Sequence, residues 1–287
     1  MKEYGYEGLL FAVAIAISLS VCLYFVETAI NNYFDAHAEV EHHGNAEHTI
    51  VIDKEDTDDM IGNDWYEVGD VVDSDLLDMQ QLETYFTQPE ITEGDAIYNR
   101  IYGKSFPTTG EVKLADLRYL KMLYVDYNGD TRCGEMIVNA KIADTTLDIF
   151  ATLYQEKYPI ERMELIDNYW DTDGNTTDRK SILANNSSAF CYRTIAGTDE
   201  ISNHAYGLAI DINPHDNPYV WCNEDGSPKL ETLDAHEQEM MVDRGNKLHA
   251  ITKGDVVWQT FADAGFDWGG DWKNPLDYQH FEWAPQE

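Results

Sequence analysis

From Gly8 to Val26 the chain runs through apolar and small residues without a charge, bracketed by Glu7 and Glu27. That is long enough for one bilayer-spanning helix. Further along the pattern becomes periodic. Ala143 to Tyr158 sets Leu147, Phe150, Ala151 and Tyr154 on one stripe, which predicts an amphipathic helix stopped by Pro159. Val256 to Ala264 predicts a second helix ending at Gly265, and Asp95 to Tyr102 a short one capped by Asp95. A short helix is also predicted around Ser74 to Phe86. Asp116 to Val125 leads into a strand before the Asn128-Gly129-Asp130 turn. Glu135 to Asn139, Met163 to Ile166 and Leu208 to Ile212 have strand character, and Trp170 to Ser188 reads as a polar loop. Helices and short strands without regular βαβ alternation predict an α+β domain.

Charge divides the chain. Lys54 is the only Lys or Arg between Tyr33 and Asp95, a stretch crowded with Asp and Glu. Residues 28–93 are therefore expected to be an acidic, largely disordered spacer, with His37, His42, His43 and His48 solvated within it. The expected organisation is a transmembrane signal anchor over 1–27, the spacer over 28–93 and a folded domain over 94–287. A cleaved signal is the second reading of the first segment. The formal charge of −35 argues against nucleic acid as a partner, since phosphate binding needs clustered Lys and Arg. The acidic segment after the anchor favours an extracytoplasmic domain on a single-pass membrane protein. No CxxC pair is present, and two readings stand for Cys191 and Cys222, a disulfide or buried thiols.

The chemistry gathers in the last third. His204 and Asp211 are followed far downstream by Asp277, His280 and Glu282. Two imidazoles and a carboxylate make the ligand set of a catalytic zinc site, which keeps a fourth position for water. Such a set also accepts other divalent ions. Ala209 and Asp211 share one strand face, and so do His280 and Glu282, which places Glu282 to orient a ligand imidazole. Tyr206, Trp268, Trp272 and Phe281 are expected to wall the site. His215, His236 and His249 are read as ordinary surface or core histidines.

The runs Ser202-x-His204-x-x-Gly207-x-Ala209-x-Asp211-Ile212-Asn213-Pro214 and Trp268-Gly269-Gly270-Asp271-Trp272…Asp277-x-x-His280-Phe281-Glu282 closely resemble the M15 zinc peptidases. That family includes D-alanyl-D-alanine carboxypeptidases and L-alanyl-D-glutamate endopeptidases of peptidoglycan stem peptides. The resemblance spans roughly 94–287, including Asn185 to Arg193 and Asn217-Pro218-Tyr219. It implies that His204, Asp211 and His280 hold Zn²⁺, that Asp277 is the general base and that Arg193 steadies the developing oxyanion. A structural ion pair is the other reading of Arg193. The resemblance also implies a Hedgehog/DD-peptidase-like fold, a small antiparallel sheet with packed helices. Ser202 is a further candidate at the substrate. The expected function is hydrolysis of stem-peptide amide bonds, the L-Ala–D-Glu bond ahead of D-Ala–D-Ala. The alternative is a non-catalytic zinc-containing module that binds the cell wall. A carboxypeptidase also needs a cation for the terminal carboxylate, for which Arg179, Lys180, Arg244 and Lys247 are candidates.

Overall fold

The computed structural model of the chain describes residues 66–195 and 197–283. The expected anchor, the histidines at 37–48 and the first part of the spacer lie outside these residues. No helix among the described residues is long and apolar enough to cross a membrane.

A long hairpin forms the centre. Strands β1 (Leu117–Val125) and β2 (Thr131–Asn139) pair antiparallel, with Leu117 opposite Asn139 and Val125 opposite Thr131. Asp126 closes the turn by accepting from the Asn128 and Asp130 backbone N–H groups at 2.8 and 3.0 Å, while Gly129 supplies φ +87°. Short α1 (Ala96–Ile101) starts at Asp95, whose side chain accepts from the Tyr98 N–H. Helix α2 (Ala143–Gln155) buries Ile149, Phe150, Leu153 and Tyr154 in a core shared with Leu120, Met122 and Met136. Leu117, Tyr119 and Ile137 close a second apolar cluster with Ile101, Phe106 and Phe190.

The remaining strands are short. β3 (Ala209–Asp211), β7 (His280–Trp283) and β5 (Phe266–Trp268) form an antiparallel sheet in that order. β4 (Tyr219–Val220) pairs with β6 (Leu276–Asp277). Two more helices are α3 (Gly174–Leu183) and α4 (Ala235–Met241), and α5 (Val256–Asp263) precedes β5 and ends before Gly265. Mixed helices and small antiparallel sheets make the architecture α+β, as the pattern predicts.

Three expectations need correcting. Residues 66–93, assigned to the spacer, pack into the domain: Tyr66, Val72, Leu77, Leu82, Tyr85 and Phe86 join the main core. Their backbone also pairs with the hairpin, with Val72 N–H donating to Thr131 O at 2.8 Å and Thr87 N–H to Lys121 O at 2.9 Å. The acidic residues that suggested disorder are exposed or act as caps; Asp73 accepts from Asp75 N–H and Asp78 from Gln80 N–H. Instead of one helix, Ser74–Leu76 and Met79–Tyr85 are 3-10 turns. Second, Met163 to Ile166 forms no strand; a 3-10 turn runs from Ile166 to Tyr169. Third, the polar stretch after Trp170 contains α3. Asp173 and Thr176 form its capping box, and only Gly174, Thr177 and Ser181 are buried, so it carries no apolar stripe. Cys191 and Cys222 are buried thiols without a disulfide.

Candidate metal centre

Asp211 and His280 are directly opposite in the β3–β7 register, which puts both side chains on one face of the sheet. Ile210 and Ile212, flanking Asp211, are buried on the other side. His204 arrives on a 3-10 turn, Asn203–Tyr206, whose start is capped by Ser202: the His204 N–H donates to its Oγ at 3.3 Å. Gly207 ends the turn at φ +66°, so close to β2 that a Cβ there would meet Asn139 N at 2.7 Å. Asn139 N–H donates to Gly207 O at 2.8 Å and its side-chain amide to Tyr206 O at 2.9 Å. The turn is thus pinned to the central hairpin.

The three side chains converge. His204 Nε2 lies 3.1 Å from His280 Nδ1 and 3.2 Å from Asp211 Oδ2, and His280 Nδ1 lies 3.1 Å from Asp211 Oδ1. All three residues are buried. The other nitrogen of each ring is anchored. His204 Nδ1 is 2.6 Å from the Ala189 carbonyl, which only accepts, so Nδ1 carries the proton and Nε2 presents a lone pair. His280 Nε2 sits 3.3 Å from Glu282 Oε2, and Glu282 also accepts from Asn203 Nδ2 at 2.6 Å. That arrangement leaves His280 Nδ1 facing the cluster.

Two ring lone pairs and a carboxylate oxygen at this spacing repel one another unless a cation or proton lies among them. A tetrahedral zinc with bonds of about 2.0–2.1 Å sets its ligands about 3.3 Å apart, close to the separations found here. The donor set, its spacing and the carbonyl and carboxylate behind each ring all fit such an ion. Without metal, burial opposes charging His280. The hydrogen bonds to Asp211 and Glu282 and the charges of Asp211 and Asp277 outweigh this and push its pKa up to about 10. For Asp211, burial is overcome by the two imidazoles, which hold its carboxyl far below the usual range.

Asp277, on β6, is buried and accepts from Gln279 Nε2 at 3.1 Å. Burial pushes its pKa to about 6, with Asp211 adding to the rise and His280 opposing it. The Trp268-Gly269-Gly270 turn presses on it, since a Cβ at Gly269 would sit 2.6 Å from Asp277 O and 2.8 Å from its Cβ. Arg193 lies antiparallel to the start of the His204 turn: the Ser202 N–H donates to Arg193 O at 3.1 Å. Its guanidinium pairs with Asp178 at 3.1 Å.

The expected walls divide. Trp272 approaches His280, with ring centroids 5.3 Å apart. Trp268 and Phe281 are core residues instead, stacked on each other, with Trp268 Nε1–H donating to Tyr278 O at 3.0 Å. Tyr206 packs against the second apolar cluster, and Ser202 is a turn cap. Tyr219, opposite Asp277 in the β4–β6 register, is an aromatic neighbour that the wall assignment missed.

The cation candidates are engaged elsewhere. Arg179 pairs with Glu237 at 3.0 Å, Lys180 with Asp171 at 2.9 Å and Lys247 with Glu239 at 3.2 Å. Arg244 is held by the Asp216 and Ile251 carbonyls and lies 4.2 Å over the Tyr278 ring. His215, His236 and His249 gather around a separate cavity of about 450 Å³. There His215 meets Asp234, while His236 and His249 meet Asp216. His215, Asp234 and Glu237 also bring ligand atoms within 4.8 Å of one another. Their carboxylates are already committed to the α4 capping box and to Arg179.

No curated protein and no solved structure matches the chain. Residues 196–283 match a family model described as D-alanyl-D-alanine carboxypeptidase, a segment containing His204, Asp211, Asp277 and His280 but not Arg193. That match, confined to the C-terminal third, supports an M15 family peptidase over this segment.

Proposed function

We propose that this chain is a zinc-dependent peptidase of the M15 type that hydrolyses amide bonds in peptidoglycan stem peptides, acting outside the cytoplasm from a membrane anchor over residues 8–26. The convergence of His204 Nε2, His280 Nδ1 and Asp211 at 3.1–3.2 Å, beside a buried carboxylate, is the observation that carries this reading. A zinc ion held by these three supplies a Lewis acid and brings the pKa of bound water to about 7.

The chain's own groups do the rest. Asp277 takes the proton of the attacking water; with a pKa near 6 it is mostly ionised at neutral pH yet basic enough to accept. Arg193 offers N–H donors to the oxyanion as the carbonyl becomes tetrahedral. The Ala189 carbonyl and Glu282 hold the two imidazoles in their productive tautomers and orientations. Trp272 and Tyr219 flank His280 and Asp277 as apolar walls. With Arg193 given to the oxyanion and Arg179, Lys180, Arg244 and Lys247 engaged elsewhere, none of the named cations is left for a substrate's terminal carboxylate. This favours internal cleavage, at an L-Ala–D-Glu type bond, over removal of terminal D-alanine.

The test is incubation of the full-length protein, with His280→Ala and Asp277→Ala controls, with purified peptidoglycan fragments and zinc, products being read by mass spectrometry. An internal cut lost in both controls is expected. Release of a single alanine would reverse the bond preference. Retention of zinc and wall binding without any cleavage would replace the enzyme by a binding module.

A further inference from the structure

Asp178 belongs to neither the ligand set nor the proton-transfer machinery, yet the fold delivers it to the edge of both. It lies on α3 one turn after Gly174, and residues four apart share a helix face. Gly174 is pressed so tightly on the neighbouring segment that a Cβ there would sit 2.6 Å from Tyr192 O and 2.9 Å from Arg193 Cβ. One turn on, Asp178 Oδ2 meets Arg193 Nη2 at 3.1 Å, with the two side chains only 17% and 10% exposed.

The rest of that guanidinium is poorly satisfied. Nη1 makes a marginal contact with Thr194 O at 3.5 Å, and Nε is buried with no partner. A guanidinium carries five N–H donors. Buried donors left unpaired are costly, and where they persist they call for a functional explanation. Arg193 also lies in the field of Asp211 and Asp277, and Asp178 in that of Asp211. The cluster's carboxylates therefore draw the guanidinium toward themselves, where it would compete with the metal for Asp211 and pair with the general base. The Asp178 carboxylate, outside the ligand set, supplies an opposing charge to that pull.

We propose that Asp178 is a positioning residue: its carboxylate clamps Arg193 away from Asp211 and Asp277, keeping guanidinium N–H donors available for an anionic group of the substrate. The kinetic consequence rests on the peptidase reading, whereas the clamp itself does not.

Two measurements on the full-length protein separate these. In metal-free protein with ¹⁵N-labelled arginine, the Arg193 Nε–H signal should show slow solvent exchange and slow rotation about Nε–Cζ. In Asp178→Asn its exchange should quicken at least about tenfold, because the charge-assisted clamp is lost. In the zinc-loaded protein, Asp178→Asn should lower kcat about 10- to 100-fold, the effect of a small misplacement of an active group, with KM and zinc content little changed. Asp178→Glu should restore part of the loss. In an Arg193→Ala background, Asp178→Asn should add less than about twofold, as expected of residues acting through one another. An unchanged Arg193 signal in Asp178→Asn, or the same fold loss in both backgrounds, would overturn the proposal. If the wild type cleaves no wall peptide, the peptidase reading fails and the Arg193 signal alone decides on the clamp. Should Asp178→Asn melt out, Asp178→Ser, which also removes the charge, carries the same comparison.

Discussion

Loading the metal-free protein with Zn²⁺ should expel close to one proton, and the apparent affinity should climb steeply with pH. The cause is the crowding of His280 Nδ1, 3.1 Å from both Asp211 Oδ1 and His204 Nε2. Burial disfavours an imidazolium there, but the bonds to Asp211 and Glu282 and the nearby carboxylates raise the pKa from its usual 6.5 to about 10. Metal takes the nitrogen that holds this proton, so metal and proton compete. At pH 7, about three pH units below that pKa, the competition weakens apparent zinc affinity about 10³-fold, or about 4 kcal/mol at 1.36 kcal/mol per unit. The affinity should rise about tenfold per pH unit from pH 7 toward 10 and then level off. The same shift bears on stability. A raised imidazole pKa stabilises the metal-free fold fully below about 6.5, and that contribution is lost as pH rises through about 10. The metal-free protein should therefore lose thermal stability on the alkaline side. Titration calorimetry at pH 7.5 in buffers of contrasting ionisation enthalpy counts the released proton directly. Glu282→Gln should bring the levelling-off to a lower pH and raise the apparent affinity at pH 7, since Glu282 is one of the groups that raises His280. Zinc binding that releases no proton, or an affinity flat from pH 7 to 9, would refute the reasoning.

Further outcomes follow from the site and from the core beneath it. Peptidase activity should fall as pH drops through about 6 or somewhat lower, because Asp277 must be ionised to accept a proton and a bound cation favours its charged form. Asp277→Asn should keep zinc and lose about 10²- to 10⁴-fold in kcat, and wild-type turnover in that variant would exclude Asp277 as the base. Gly269→Ala should cost about 1–3 kcal/mol in denaturant unfolding and impair turnover, because its Cβ meets Asp277 backbone and Cβ rather than a yielding side-chain tip. Gly245→Ala, with nothing within 4 Å, should stay within about 0.5 kcal/mol. Truncation to start at Gly94 removes Tyr66, Val72, Leu77, Leu82, Tyr85 and Phe86 from the core. At about 1.5–3 kcal/mol each, their loss matches a typical domain's whole stability of about 5–15 kcal/mol. Circular dichroism should show an unfolded or aggregated chain, and a cooperative melt like that of the full-length protein would contradict the packing.

What the sequence could reveal of the site follows from how the site is built. Strand alternation alone put Ala209 with Asp211 and His280 with Glu282, and both pairs do share a face. The register that sets Asp211 opposite His280 depends on tertiary pairing that no local pattern encodes. Helix α3 escaped because its buried face is Gly174, Thr177 and Ser181, small residues that leave no apolar stripe, and Asp178 escaped with it. Its readable signal was the Asp173-x-x-Thr176 capping box. Residues 66–93 misled through average composition, since acidic caps and exposed carboxylates diluted the aromatic and aliphatic side chains that anchor them. One physical device links these misses. Gly174 against Tyr192, Gly207 against Asn139 and Gly269 against Asp277 each bring a short turn or helix end within a distance that excludes a Cβ. The centre is thus assembled from pieces of two to four residues held by backbone contact, not from long elements held by apolar periodicity. Periodicity reads the scaffold beneath such a centre and is blind to the centre itself. There, the glycines between the chemically active residues carry the positional information.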